Sequence, residues 1–230
     1  LPAQSVLAFF AIAVIFGGRL QDRFGPRWVA TGGGIILGLG LLLAHYTERF
    51  TGGAALGWLI LTFSVLGGIG IGLAYVCPIA TCVKWFPDKR GFIAGLAVAG
   101  FGAGSFFFAP LAKGLIVGGP YQLLRVDLMS SLPKIGVFHT FATLGIIFLV
   151  VVVLGAQFLR NPPAGYVPKG WAPPQPPAGA PVKVDFTPGE MLRTPMFWLL
   201  WLTYFAGCTA GLQIIVKASP VWQSYTLGGM

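Results

Sequence analysis

Charged residues are scarce in this sequence. Only 9% of its 230 residues are Asp, Glu, Lys or Arg, and only six of these are acidic. A soluble domain carries about a quarter charged residues, so this chain has too few to cover a water-facing surface. Hydrophobic residues make up 56% of the chain, and its mean hydropathy is +0.81. The composition therefore predicts an integral membrane protein whose solvent is the lipid bilayer.

Cysteine and histidine are also rare. The three cysteines lie inside apolar runs, and neither they nor the two histidines have the spacing of a disulfide framework or a zinc site. All six acidic residues lie in or beside loops, whereas an enzyme embedded in the membrane would need a paired acid and base inside its helices. We therefore expect no cofactor, no metal and no enzymatic activity. An embedded enzyme or a simple membrane anchor is the least favoured alternative.

Long apolar runs fill most of the chain. A helix needs about 20 residues to cross a hydrocarbon core, and helices are favoured because lipid offers no partners to backbone polar groups. The sequence therefore predicts an all-α protein with about six crossings. The predicted crossings are Pro2–Gly18, Trp28–Tyr46, Leu56–Val83, Phe92–Val117, Val137–Phe158 and Met196–Val216.

The basic residues alternate between the intervals that separate these runs. The first, third and fifth intervals hold ten lysines and arginines, and the second and fourth hold three. Because cytoplasmic loops are enriched in Lys and Arg, we expect the odd-numbered intervals to face the cytoplasm. The same clustering argues against nucleic acid as the partner of a chain with a net charge of +9. A multi-pass protein of the plasma (inner) membrane is predicted.

Proline marks the fifth interval. Ten of the eighteen prolines lie between Asn161 and Pro195, and such a composition favours an extended linker. The chain is therefore expected to contain a transmembrane bundle over 1–160, a cytoplasmic linker over 161–195 and the first helix of a second bundle over 196–230.

Glycine is abundant in the third and fourth runs. Two sets of four glycines stand out, Gly67, Gly68, Gly70 and Gly72 in one run and Gly95, Gly100, Gly102 and Gly104 in the next. No strand precedes them and no suitably spaced acid follows, so a nucleotide-binding loop is excluded. Small residues let membrane helices approach closely, and close helix packing is predicted at both places.

The first basic interval reads GGRLQDRFGPRW, from Gly17 to Trp28. It resembles the signature loop between helices two and three of the major facilitator superfamily. The matching residues are Gly18, Leu20, Asp22, Arg23, Gly25 and Arg27, and Pro26 replaces one basic residue of the family pattern. The resemblance implies that the chain contains helices two to seven of twelve and lacks the first helix.

The third interval, KWFPDKRG from Lys84 to Gly91, then joins helices four and five on the same face. The resemblance implies that the two loops lie together and form a cytoplasmic gate, which includes Asp88 and Arg90. We expect Asp22 to contact Arg90 or a helix end in one conformation and to lose that contact in another. The alternative is that these are plain solvated anchoring charges.

Further elements resemble the oxalate:formate antiporter family. They are the Tyr-x-x-Pro-Ile element at Tyr75, the KWFPDKRG loop, the Gly-Phe-Gly-x-Gly element at Gly100 and the stretch FWLLWLTYFAGCTAGL near the end of the chain. The resemblance implies a secondary active transporter that moves a small carboxylate by alternating access, and whose main substrate-binding cations lie in later helices. The alternative within the superfamily is another solute, such as a larger organic anion or a drug.

Three aromatic residues are candidates for the substrate cavity. Tyr75 lies in the middle of an apolar run, where its hydroxyl group needs a partner. Phe106 and Phe107 are weaker candidates, because aromatic clusters in membrane helices are more often packing residues. For Tyr75, a hydroxyl group that is satisfied by a neighbouring helix carbonyl is an equally open alternative. The sequence does not indicate an oligomeric state.

Overall fold

The chain forms a bundle of long helices in a computed structural model that describes residues 2–123, 126–163, 165–168 and 186–209. Within these ranges five helical segments are long and apolar enough to cross a membrane. They are Gln4–Phe24, Pro26–Arg49, Gly52–Trp85, Pro87–Val117 and Gly136–Ala156. The first five predicted crossings are thus confirmed. Residues 195–209 are also helical, and the remainder of the sixth predicted crossing lies outside the described residues.

The helices follow one another with short connections. Helices α1 (Pro2–Phe24) and α2 (Pro26–Ala44) are followed by a 3₁₀ turn, His45–Arg49. A single helical run then comprises α3 (Gly52–Leu59), a π-helical stretch (Ile60–Leu66) and α4 (Gly67–Trp85). After a 3₁₀ turn at Pro87–Lys89 come α5 (Arg90–Val117), α6 (Gly136–Ala156) and the short α7 (Pro188–Arg193).

Glycines permit a close helix crossing between α2 and α4. A Cβ atom placed on Gly33 would lie 2.8 Å from the carbonyl oxygen of Gly70 and from the amide nitrogen of Ala74. One on Gly70 would lie 2.7 Å from the carbonyl oxygen of Gly33 and would overlap the amide nitrogen of Leu37. The two backbones therefore touch directly, and no side chain fits between them.

Glycines also allow α1 to pack closely against α4, and α6 to pack closely against α2. A Cβ atom on Gly72 of α4 would come within 2.6 Å of Ala13 Cβ in α1, and one on Gly38 of α2 within 2.5 Å of Leu149 Cβ in α6. The predicted close packing is thus confirmed for Gly68, Gly70 and Gly72 of α4, whereas Gly67 has open space where a Cβ atom would lie. In α5, by contrast, Gly95, Gly100, Gly102 and Gly104 have no such neighbour within 4 Å among the described residues.

A two-stranded hairpin, which the sequence analysis did not predict, connects α5 to α6. Its strands are β1 (Gly119–Leu123) and β2 (Val126–Leu132), paired antiparallel with Gly119 opposite Leu132. Gly118, at φ 82°, ends α5 and turns the chain into the hairpin. The membrane-crossing part is all-α as predicted, and the hairpin is an addition in the fourth interval.

The chain divides into two compact units, Leu1–Ala172 and Pro173–Met230. The predicted linker 161–195 spans this division and contains α7. A capping box begins α7, because Thr187 and Glu190 exchange hydrogen bonds. Hydrogen bonds from Thr187 lower the pKa of the Glu190 carboxyl group. The bond from the backbone N–H has the larger effect, and the bond from the hydroxyl group has the smaller one. The cap is therefore fully formed above the usual carboxyl pKa, and it is lost as the pH falls through the lowered value.

Candidate functional site

The loop between α1 and α2 is a one-residue connection. Helix α1 ends at Phe24, Gly25 has φ 86°, and α2 begins at Pro26. The backbone N–H of Gly25 donates a 2.8 Å hydrogen bond to the carbonyl group of Gln21. A positive φ strains any residue with a Cβ atom, so glycine is required here. This tight turn fixes where the charged side chains at the ends of both helices lie.

Asp22 forms an ion pair with Lys84. Its Oδ1 atom lies 3.1 Å from Lys84 Nζ, which joins the end of α1 to the last turn of α4. The side chains remain 71% and 40% exposed, respectively, so solvent screens the pair and its contribution to stability is at most about 1 kcal/mol. The pair can therefore bias a conformational equilibrium without being needed for folding.

The other residues predicted for the gate occupy different places. Asp88 lies in the 3₁₀ turn and Arg90 begins α5, and both are exposed. In the described part of the chain neither forms an ion pair with Asp22, whose partner here is Lys84. The contact between Asp22 and Arg90 therefore stays a prediction for a second conformation. Gly18 has open space where a Cβ atom would lie.

Arg27 connects the start of α2 to the end of α6. Its Nε–H group donates a 2.7 Å hydrogen bond to Oε1 of Gln157. The side-chain amide of Gln157 donates in turn to the hydroxyl group of Thr31, at 3.2 Å, and to the carbonyl group of Val153, at 3.0 Å. This network is on the same side of the bundle as the ion pair. It was missed because Gln157 is a single uncharged residue at the end of an apolar run.

Trp85, the residue after Lys84, binds the segment that follows α6. Its indole Nε1–H group donates a 2.8 Å hydrogen bond to the carbonyl group of Arg160, and its ring meets that of Tyr166 with centroids 5.0 Å apart. The last turn of α4 thus contacts α1 through Lys84 and the segment after α6 through Trp85. The beginning of the predicted linker is packed against the bundle and not free of it.

Trp85→Phe is expected to loosen the segment that follows α6. The phenyl group keeps an aromatic ring at this position, but the indole N–H donor is lost. A lost hydrogen bond of this kind costs about 1 kcal/mol, so tryptic cleavage after Arg160 should become several-fold faster. Trp58→Phe is the matched control, since Trp58 Nε1–H donates to the carbonyl group of Leu43 at 2.9 Å, at the opposite end of the bundle. Equal cleavage rates in the two variants would contradict the assignment.

Tyr75 lines a cavity of about 410 Å³ between α2, α4 and α6. Its ring also meets that of Phe10 in α1, with centroids 5.5 Å apart. Among the described residues that line it, Tyr75 is the only one whose side chain has a polar atom. The lining residues are Ala30, Leu37, Ile71, Ala74, Tyr75, Pro78, Val152, Gly155, Ala156 and Leu159.

Phe106 and Phe107 lie elsewhere, on α5. Their rings are 5.5 Å apart, both side chains are exposed, and the carbonyl group of Phe107 accepts a 3.2 Å hydrogen bond from the hydroxyl group of Tyr121. Neither lines the cavity at Tyr75. The structure therefore does not bring the three predicted substrate residues together within this cavity. In the described ranges no three of the His, Cys, Asp and Glu residues gather in an arrangement that could hold a metal ion.

Comparison with known proteins places this architecture in a family. Residues 3–229 match the family model described as Major Facilitator Superfamily. The chain is 30% identical over 93% of its length to the "Uncharacterized MFS-type transporter YhjX" of Escherichia coli (strain K12), covering 46% of that protein. It is 32% identical over 92% of its length to the "Oxalate:formate antiporter" of Oxalobacter formigenes, covering 43% of that protein.

A third relative is "Monocarboxylate transporter 13" of Rattus norvegicus, which is 36% identical over 50% of this chain and matches over 26% of its own length. The chain spans less than half the length of these curated relatives. The family consists of membrane transporters and not of enzymes. The match over nearly every residue, together with the crossings and the basic loop between α1 and α2, shows that the chain is a multi-pass membrane protein of the Major Facilitator Superfamily.

Proposed function

We propose that this chain is part of a secondary active transporter that moves a small carboxylate across the plasma (inner) membrane by alternating access. The observation that carries the proposal is the 32% identity to the oxalate:formate antiporter over 92% of the chain. The similarity to a monocarboxylate transporter points to the same class of solute. In this proposal 1–160 form the first bundle without its first helix, 161–195 the linker, and 196–230 the first helix of the second bundle.

Tyr75 is the residue of this chain that we assign to the substrate. It is the polar member of an otherwise apolar cavity, and a tyrosine hydroxyl group can donate a hydrogen bond to a carboxylate. A carboxylate inside a membrane protein also needs a cation, because an unpaired charge is costly there. No cation lines this cavity among the described residues, so that group is expected from the second bundle. Phe106 and Phe107 keep a secondary role, as apolar contacts from α5.

The ion pair between Asp22 and Lys84 is the centre of the proposed cytoplasmic gate. In alternating access the two bundles rock against each other, so the cytoplasmic loops of the first bundle alternately meet and leave the second bundle. Asp22 and Lys84 hold the ends of α1 and α4 together in the conformation described here. Arg23, Arg27, Asp88 and Arg90 lie in the same two loops, and we propose that the contact of Asp22 with Arg90 forms when the ion pair with Lys84 opens.

A larger organic anion or a drug is the second candidate class of solute. The observation that favours it is the apolar lining of the cavity, where one hydroxyl group is the sole polar feature among the described residues. Such a surface suits a substrate with an extensive hydrophobic part. The two classes differ in the size of the solute and not in the mechanism of transport.

Counterflow in liposomes tests the proposal. The complete transporter is reconstituted into vesicles that are loaded with unlabelled oxalate, formate or pyruvate, and uptake of the labelled solute is followed. We expect loading to speed uptake several-fold over empty vesicles for at least one of these solutes. Acceleration only by large aromatic carboxylates would favour the second class. No acceleration by any carboxylate, from protein that remains monodisperse, would overturn the assignment of a carboxylate substrate.

A further inference from the structure

A second apolar groove lies on the outside of the bundle, beside the basic loop. It has a volume of about 300 Å³ and runs between α1 and α2 down to Leu73 of α4. Two aromatic side chains form its wall near the loop, Phe24 and Trp28, and they are 57% and 71% exposed. The groove continues along α2 past Gly32 to Ile36, which is a distance of about 12 Å at the rise of a helix.

A cation lies against one of the two aromatic side chains at the loop end of this groove, which we call its mouth. The guanidinium carbon of Arg23 is 5.4 Å from the centre of the Phe24 ring, over the aromatic wall. Arg19 is exposed one turn earlier on the same face of α1. The loop's single acidic residue, Asp22, is neutralised by Lys84 at 3.1 Å. The mouth of the groove therefore has a net positive charge, and its interior is apolar.

We propose that this groove binds an anionic phospholipid of the cytoplasmic leaflet. An acyl chain fits the apolar channel and the headgroup phosphate fits Arg23, while Arg19 adds positive potential one turn earlier on α1. The charge complementarity and the lipid that surrounds a membrane-spanning bundle both favour this occupant. The site is distinct from the cavity at Tyr75, with which it shares no lining residue. It adds a lipid ligand to the proposed function and does not depend on which solute is carried.

Fluorescence quenching by brominated lipids measures occupancy directly, because Trp28 lines the groove. The complete transporter is reconstituted in phosphatidylcholine vesicles that contain brominated phosphatidylglycerol or brominated phosphatidylcholine at equal mole fractions. The contribution of Trp28 is the difference between the unmodified protein and Trp28→Phe. We expect brominated phosphatidylglycerol to bind at this position about fivefold more tightly, since one basic side chain near an anionic lipid contributes about that factor.

Variants at Arg23 test whether the charge of this side chain causes the preference for the anionic headgroup. Arg23→Gln is expected to remove most of the preference, and Arg23→Lys to keep most of it, because the positive charge remains. Arg49→Gln is the matched control: the Arg49 guanidinium carbon lies 4.8 Å from the Tyr46 ring, in the same kind of contact at the opposite end of α2. It should leave the preference at Trp28 unchanged.

Three results would overturn the proposal. Equal quenching of Trp28 by the two lipids in the unmodified protein would show that the groove does not select an anionic headgroup. Absence of quenching by either lipid would show that another part of the protein covers the groove. A preference that survives in Arg23→Gln would exclude Arg23 as the cation that binds the lipid.

Discussion

Gly70→Ala is expected to lower the free energy of unfolding by about 3 kcal/mol, so that most of the protein is lost from the monodisperse species at a temperature that the unmodified protein withstands. The added Cβ atom would lie 2.7 Å from the carbonyl oxygen of Gly33 and would overlap the backbone nitrogen of Leu37. A clash with the end of a flexible side chain can be relieved by rotation, but these neighbours are backbone atoms of a packed helix. Overpacking of this kind costs about 3 kcal/mol, and a folded protein has only about 5–15 kcal/mol of stability.

Size-exclusion chromatography of a fluorescent fusion, before and after heating, measures this effect. Gly33→Ala should behave like Gly70→Ala, because it adds a methyl group to the same crossing from the other side. Gly57→Ala is the control, since a Cβ atom there meets no atom within 4 Å in the described part of the chain. Alanine is the better helix former by about 1 kcal/mol, so this variant should be at least as stable as the unmodified protein. An elution profile of Gly70→Ala after heating that matches that of the unmodified protein would disprove the close crossing of α2 and α4.

Asp22→Asn is expected to slow counterflow about fivefold without lowering the yield of folded protein. The substitution removes the ion pair with Lys84, which at 71% and 40% exposure contributes at most about 1 kcal/mol. That amount is small beside the stability of the fold. In an equilibrium between two conformations of similar free energy, however, it changes the populations about fivefold, and transport requires both conformations.

Exchange of the two charges separates the ion pair from a general effect of charge. Asp22→Lys combined with Lys84→Asp should recover much of the activity that either single substitution loses. Glu48→Gln is the control, because Glu48 is an exposed carboxylate in the 3₁₀ turn after α2 and forms no ion pair with any described residue. Unchanged counterflow in Asp22→Asn would show that the loop charges only anchor the chain in the membrane.

The membrane crossings could be predicted because length and apolarity alone decide them. A run of about 20 apolar residues has one stable arrangement in lipid, which is a helix. The hairpin between α5 and α6 could not be predicted in this way, since residues 119–132 are neither long nor apolar enough to cross. Their pairing depends on where the ends of α5 and α6 place the intervening chain.

The partners of the loop charges were harder to predict than the loops themselves. Lys84 and Arg90 belong to the same basic cluster, and the sequence alone does not show which of them forms the ion pair with Asp22. The choice depends on the parallel packing of α1 against α4, which small residues such as Gly72 fix at a distance from the charges. The roles of Trp85 and Gln157 were missed for a related reason, because each forms a hydrogen bond with a residue that is distant in the sequence.

The glycines show the same limit. Those of α4 and those of α5 look alike in the sequence, yet Gly70 lies at a backbone crossing and Gly100 has no neighbour within 4 Å among the described residues. Glycine permits close approach but does not specify the helix that approaches. The sequence therefore predicts that a crossing exists, and only the arrangement of helices shows where it lies.

The orientation of the helices in the membrane is the claim on which the gate, the lipid groove and the transport proposal all depend. It is tested by single cysteines introduced at Asp88 and at Glu48, in a variant whose native Cys77, Cys82 and Cys208 are replaced. A membrane-impermeant maleimide is applied to intact cells and then to permeabilised ones. We predict that position 48 is labelled in intact cells and position 88 only after permeabilisation. Ready labelling of position 88 in intact cells would contradict the account.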